Sequence, residues 1–367
     1  MAMRHLLRLR LAAALAVTVL LAASCGDDND TATTSTTTTS STTISTTTSS
    51  TTTTTIPLPE IPTPAASTVE GLFALGRPVV IGHAGGDQSW PKSTMFAFRE
   101  AALAGTDVLE MDVQLTADGV LVVIHDDTVD GTTGATGRVR DLTYDELQAL
   151  DQAYWWSDDW ADRSRPDEDY VWRGVRVGEV DPPAGYTADD FRVETFQSIA
   201  EAFPEHVLDV EIKVPGGDDG EPDLDFAIEG GRVLAEEIEA LRRQDSVVVV
   251  SFDDDVIAAF HEFAPDILTS PALVSMVDWF LGGVPLLESH RVLQVPPQRE
   301  DLDVLRLPGF LEKAREEDLG IWVWPNDAST QENADFYESL LEFDIDGLIA
   351  GSPEVAVERW REIGAIP

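Results

Sequence analysis

The chain alternates short apolar runs with amphipathic stretches, and this alternation limits its fold more than any other feature. Residues 78–81, 108–113, 120–124, 207–212, 246–251, 320–324 and 346–349 each read as a buried strand, while residues 267–274 and 291–295 compete for one further place. Helical periodicity fills the gaps. Residues 93–104 carry apolar side chains at Met95, Phe96, Phe98, Ala102 and Leu103, residues 231–243 read as a second helix, and a closing helix runs through Trp360. Thr143 and Glu146 stand as a capping box for a helix over residues 141–150. Strand runs separated by helical runs are the pattern of βα units around a parallel sheet. Residues 70–367 are long enough to close such units into a single TIM-type (β/α)8 barrel.

Residues 151–191 do not fit the alternation. They are rich in Trp, Tyr, Asp, Gly and Pro, and read as an aromatic-rich loop inserted beside the barrel mouth after the third βα unit. Trp155, Trp156, Trp160 and Trp172 in this loop either form an apolar wall for a ligand or pack on one another as a small core.

The first 69 residues read as targeting and tether. Arg4, Arg8 and Arg10 precede an apolar run over residues 11–21, which is short of the ~20 residues that span a bilayer as a helix. Residues 1–24 are expected to be a signal peptide. Leu21-Ala22-Ala23-Ser24-Cys25 looks like a bacterial lipobox, with Cys25 the lipidated first residue of the mature chain. Cys25 is the only cysteine, which rules out a disulfide within one molecule and a Cys-based nucleophile or metal site in the globular part. Residues 31–55 are almost wholly Thr and Ser, and residues 56–64 are Pro-rich. Such a segment has too little apolar surface to offset chain entropy, so residues 25–69 read as a disordered stalk.

A formal charge of −43 then excludes partners. Binding to nucleic-acid phosphates needs a basic surface, as does adsorption to anionic lipid. The expected membrane contact is therefore the lipid anchor alone, on the outer side of the cytoplasmic membrane of an exported protein.

In a β/α barrel the polar residues at the C-terminal ends of strands face the site. His83 follows the first strand run, Glu110 and Asp112 lie in the second, His125 ends the third, and Glu211 and Lys213 end the fourth. Glu110 and Asp112 are two residues apart, so on a strand they share a face. Burying two anions together costs on the order of several kcal/mol unless a cation joins them. A divalent ion held by Glu110, Asp112 and Glu211 removes that cost, and a hard oxygen set without cysteine favours Ca²⁺ or Mg²⁺. His206, His261 and His290 lack such context and read as surface or structural. Trp322 and Trp324 alternate on one strand, Trp324 being the candidate to line the site, and Asn326 and Asp327 follow it as candidates to meet substrate hydroxyls.

These motifs resemble the glycerophosphodiester phosphodiesterase family. The chain has His83-Ala84-Gly85, Glu110-Met111-Asp112-Val113, His125-Asp126, Thr132-Thr133, then Gly137-Arg138-Val139-Arg140-Asp141-Leu142-Thr143-Tyr144-Asp145-Glu146-Leu147, Glu211-Ile212-Lys213 and Asp346-Gly347-Leu348-Ile349, in the family's order over residues 79–353. The resemblance implies metal-dependent hydrolysis of glycerophosphodiesters to an alcohol and glycerol 3-phosphate. His83 and His125 would be the general acid and base, Glu110, Asp112 and Glu211 the ligands of one divalent metal, and Lys213 a phosphate contact. It also implies attack on phosphorus by the substrate's own neighbouring glycerol hydroxyl. Two positions depart from the family: its Arg after the first His is Ala84, and its Pro-Glu-Asn-Thr is Pro91-Lys92-Ser93-Thr94. Lys92 is the candidate to restore the missing positive charge. The competing expectations are a phospholipase D-like enzyme on the same barrel and a non-catalytic lipoprotein that binds phosphorylated envelope components.

Overall fold

Val, Ile and Leu dominate the strands of the sheet, as burial on both faces requires. The computed structural model describes residues 57–158, 163–299, 302–325 and 332–367. The expected signal peptide, Cys25, most of the stalk, Trp160, Asn326 and Asp327 lie outside these described residues. The strands are β1 (Val79–Gly82), β2 (Val108–Leu115), β3 (Leu121–Val123), β4 (Val207–Ile212), β5 (Val247–Val250), β6 (Leu268–Thr269), β7 (Val292–Val295), the short pair β8 (Gln298–Arg299) and β9 (Leu302–Asp303), β10 (Gly320–Val323) and β11 (Gly347–Ala350). The order β6-β5-β4-β2-β1-β11-β10-β7 is parallel throughout, and a parallel bridge between Thr269 and His290 joins its two ends. This is the nearly closed eight-stranded barrel expected from the sequence.

Two of its strands differ from the expectation. The run over residues 120–124 is not a barrel strand, because β3 pairs antiparallel with β2, Val113 opposite Val123. Only a tight turn separates the two, closed by Thr116 and Gly119 (φ 79°), and a parallel neighbour needs a crossover of a dozen or more residues. The two segments that competed for one place are both strands, β6 and β7, and restore the count to eight. The aromatic-rich insertion therefore follows the second barrel unit, not the third. The helix expected over residues 141–150 is only Tyr144–Leu147, although its Thr143–Glu146 capping box is present.

Inside the barrel the side chains are layered. Val79, Ile81, Val108, Val207, Val248, Val292, Trp322 and Ile349 fill the N-terminal end, and Val69 and Leu72 of the short helix Val69–Phe73 pack against them from below. Acids take over one layer higher. The helices flank the ring in two clusters, one against β2, β4 and β5 and one against β7, β10 and β11.

The insertion is a small core. Phe96 stacks on Phe191 and meets Trp172 and Tyr186 within 5.0 Å. The guanidinium of Arg173 lies 4.0 Å from the Tyr170 ring, 4.3 Å from Tyr154 and 4.8 Å from Trp155. Among the described residues, the rings of this loop thus pack on one another, on Phe96 and on Arg173. Among the described residues no helix is long and apolar enough to cross a membrane.

Candidate active site

β2 and β4 run in register, with Glu110 beside Asp209 and Asp112 beside Glu211. Residues paired in this way leave a parallel sheet on the same face, and Glu110, Asp112 and Asp209 are all buried inside the barrel. Lys213 follows β4 and reaches back, its Nζ 2.8 Å from Glu211 Oε1 and 3.6 Å from Asp112 Oδ1. Burial opposes its charge, but Glu211 and Asp112 hold the ammonium above its ordinary pKa.

One lysine does not balance this array. Burial, reinforced by Asp112, raises Glu110 well above the usual carboxylate range. Burial pushes Asp209 up to about 8, against the hydrogen bond that Gln294 Nε2 donates to its Oδ1 at 2.7 Å. Asp112 is buried too, yet the charges of Lys213 and the two histidines keep it low. The second oxygens of Asp112 and Asp209 are buried without a hydrogen-bond partner. Among the described residues no three His, Cys, Asp or Glu side chains stand in metal-holding geometry, and Lys213 stands between Asp112 and Glu211 instead. The donor set nonetheless fits a hard divalent cation: all carboxylate oxygens, one of them orphaned on Asp112.

The histidines flank the array. His83 begins the loop after β1, where Ala84 takes a left-handed conformation (φ 46°, ψ 31°) that costs an ordinary residue about 1–2 kcal/mol. That turn aims the Ala84 N–H at Glu110 Oε2, 2.6 Å away. His83 Nδ1 lies 3.1 Å from Asp87 Oδ1. Withdrawal from water works against its charge, but Asp87, Glu110 and Asp112 together raise its pKa well above the ordinary value.

His125 follows the β2–β3 hairpin. Gln114 Nε2 clamps that turn by donating to the carbonyls of Ile124, His125 and Asp126 at 2.9–3.2 Å. His125 Nδ1 meets Asp126 Oδ1 at 2.7 Å, and Lys92 Nζ lies 3.8 Å from the same oxygen. Burial would raise Asp126, yet His125 and Lys92 hold it well below the usual range. Each histidine thus turns Nδ1 toward an aspartate, His125 in a hydrogen bond and His83 in an ion pair outside hydrogen-bond geometry, which leaves Nε2 for chemistry.

The structure therefore gathers His83, His125, Glu110, Asp112, Glu211, Lys213 and Lys92 at one end of the barrel. Trp324 stands at the same mouth and meets Phe252 edge-on, whereas Trp322, two residues earlier on the same face, is buried at the barrel's other end. His206 and His290 are buried away from the site, His290 bonded to Thr269 Oγ1. Sequence reasoning missed Asp87, Asp209 and Phe252. The strict alternation Asp209, Glu211, Lys213 on one strand was a signal for the second. Asp87 had none, because its pairing depends on the turn at Ala84, Gly85 and Gly86.

The sequence pattern of the Glycerophosphoryl diester phosphodiesterase family matches residues 83–355. The glycerophosphodiester phosphodiesterase of Caldanaerobacter subterraneus subsp. tengcongensis is 49% identical over 75 residues, 20% of this chain and 31% of that one. Human glycerophosphodiester phosphodiesterase 1 is 39% identical over 92 residues, 25% of this chain and 28% of the relative, so the matched segments span under a third of either protein. The glycerophosphodiester phosphodiesterase of Bacillus altitudinis is 27% identical over 219 residues, 58% of this chain and 74% of its own. In fold, the chain is similar to the glycerophosphodiester phosphodiesterase of Agrobacterium tumefaciens, with a TM-score of 0.54 at 20% identity over 77% of this chain and 99% of that one. A phosphodiesterase of Oleispira antarctica, solved with the product sn-glycerol-3-phosphate, has a TM-score of 0.56 at 16% identity, covering 79% of this chain and 99% of that one. With its motifs in order along a parallel barrel and the family pattern matched over residues 83–355, the chain belongs to the glycerophosphoryl diester phosphodiesterase family.

Proposed function

We propose that this chain hydrolyses glycerophosphodiesters to an alcohol and glycerol 3-phosphate. The observation that carries the reading is the pair of His–Asp couples, His83–Asp87 and His125–Asp126, set around the carboxylate array and Lys213. Lys213 and Lys92 would hold the phosphate. His125 would take the proton of the glycerol hydroxyl that attacks phosphorus. His83, kept charged by Asp87, would protonate the departing alcohol. Water would then open the cyclic phosphate with the two roles exchanged.

Glu110, Asp112 and Glu211 would hold one divalent metal, Ca²⁺ or Mg²⁺, which when bound supplies charge neutralisation at the phosphoryl oxygens. The orphaned Asp112 Oδ2 supports this. Lys92 would stand in for the positive charge absent at Ala84. On that account Lys92→Ala raises KM for a phosphodiester about ten-fold with little change in kcat, and an unchanged KM removes Lys92 from the phosphate site. Export and anchoring through Cys25 belong to the same proposal, and a Cys25→Ser chain recovered in the membrane fraction as fully as the parent would contradict them. Release of glycerol 3-phosphate from a panel of diesters tests the activity, and stoichiometric binding without turnover would favour a binding protein instead.

A further inference from the structure

Glu332 precedes the helix Ala334–Leu340 and is buried beside the His83 loop, outside the reaction proposed above. Both of its carboxylate oxygens are engaged. Oε2 accepts the Tyr337 hydroxyl and, at 2.9 Å, the Gly351 N–H, while Oε1 accepts Gln88 Nε2 at 3.2 Å. The Glu332 N–H donates to Gln88 Oε1 at 3.1 Å, so the Gln88 amide is gripped at both ends. The Gln88 N–H in turn donates to the Gly351 carbonyl at 3.0 Å. β1 and β11 are parallel neighbours with Gly82 beside Ala350, which sets Gly351 level with His83. Glu332 thus ties the loop after β1 to the loop after β11 and to the buried Tyr337.

We propose that Glu332 is a positioning residue for the His83–Asp87 couple. This rests on the phosphodiesterase reading above and adds to it the group that keeps the acid of that couple in place. The loop needs holding. Ala84, Gly85 and Gly86 follow His83 with φ of 46°, 81° and 100°, and such a conformation at Ala84 persists only where its surroundings over-determine it. Asp87 Oδ1, 3.1 Å from His83 Nδ1, has no hydrogen bond of its own to aim it. Its aim comes from the backbone, and Gln88, the residue that Glu332 grips, is the next one along. Glu332 also stands near Asp87 itself, since a Cβ on Gly351 would lie 2.8 Å from Asp87 Oδ1 and 3.0 Å from Glu332 Oε1. Other bonds hold the loop from elsewhere: Trp156 Nε1 donates to the Asp87 carbonyl at 3.3 Å, and Ser89 Oγ donates to Glu354 at 2.6 Å. Loss of Glu332 therefore loosens the loop at Asp87 without releasing the whole of it.

The experiment takes two readings on the full chain: kcat and KM for a glycerophosphodiester, and the pKa of His83 from its imidazole proton signal, identified by its loss in His83→Ala. Glu332→Ala is expected to lower kcat about ten-fold with KM changed less than about three-fold. It also brings the His83 pKa down toward the ordinary value, as Asp87 drifts from the ring. Glu332→Gln removes the charge but can still accept from Tyr337 and Gly351, and recovers most of both readings. Because Glu332 acts through Asp87, adding Glu332→Ala to Asp87→Asn costs less than about two-fold in kcat beyond Asp87→Asn alone. Circular dichroism checks that each variant is folded. Gln88→Ala breaks the same link from its half-buried side and carries the same expectations if Glu332→Ala does not fold. An unchanged kcat and His83 pKa in a folded variant, or losses that multiply in the double variant, overturn the proposal and leave the phosphodiesterase reading standing. If the parent turns over no diester, that reading falls and the His83 pKa decides alone: a fall in Glu332→Ala that Glu332→Gln restores supports the placement, and an unchanged value overturns it.

Discussion

Asp87 Oδ1 lies 3.1 Å from His83 Nδ1, so an acid four residues along the same loop pairs with the imidazole and favours its charged form. Asp87→Asn keeps the shape and removes the charge. It should lower kcat about 10²-fold while KM changes less than about three-fold. Because Asp87 raises the pKa of His83, its loss should also move the alkaline limb of the kcat profile to lower pH. A profile that stays in place would show that Asp87 only packs the loop.

Gly351, just past β11, backs this couple. A Cβ there would meet Asp87 Oδ1 at 2.8 Å, Gln88 Cγ at 2.9 Å and Glu332 Oε1 at 3.0 Å. Glu332 is fixed by the Gly351 N–H and by Tyr337, and exchanges two hydrogen bonds with Gln88, so Asp87 is the side chain freest to yield. Gly351→Ala should cost about 1–2 kcal/mol of stability by overpacking. It should also lower kcat roughly ten-fold by moving Asp87 off His83. A stability loss with full activity would separate Asp87 from catalysis.

Buried acids that share one lysine should respond to metal removal. A chelator is expected to abolish turnover, and added Ca²⁺ or Mg²⁺ to restore it. Asp112→Asn should lower kcat at least ~10³-fold at saturating metal. Calorimetry would read the same loss as weakened metal binding. Full turnover after exhaustive chelation would leave Lys213 and Lys92 as the only electrophiles at the phosphate.

Acid should destabilise the fold through His206. Burial lowers its pKa to about 4 in the folded chain, against ~6.5 when unfolded. The unfolded chain therefore binds more protons between those values. The stability His206 contributes is complete above ~6.5 and is lost as pH falls toward 4. His206→Gln cannot titrate, so from pH 7.5 to pH 5 it should gain on the parent by about 2 kcal/mol in urea unfolding. A constant difference at both pH values would mean that His206 is not buried neutral.

The barrel was legible in the sequence because buried parallel strands read as continuous apolar runs, and the active-site acids broke those runs at period two. Partner choice was not legible. Residues 120–124 look like the other strands, and only the short turn through Gly119 makes them a hairpin. Glu110, Asp112 and Glu211 stood out by motif, whereas Asp209 became visible only when the β2–β4 register set it beside Glu110. Phe252 reads as one more apolar residue after a strand, and its exposure comes from tertiary placement that no periodicity encodes. Trp155 and Trp172 of the insertion could be counted but not assigned, until Arg173 was seen over the first and Phe96 against the second.

The central claim is phosphodiester hydrolysis by paired histidines over the carboxylate array. Its most direct measurement is glycerol 3-phosphate released from simple glycerophosphodiesters by the chain and by His83→Ala, each with chelator and with added Ca²⁺ or Mg²⁺. The account predicts metal-dependent release by the parent and a loss of at least ~10³-fold in the variant. Metal-dependent release that survives His83→Ala, or the absence of release on every diester with metal bound, would contradict it.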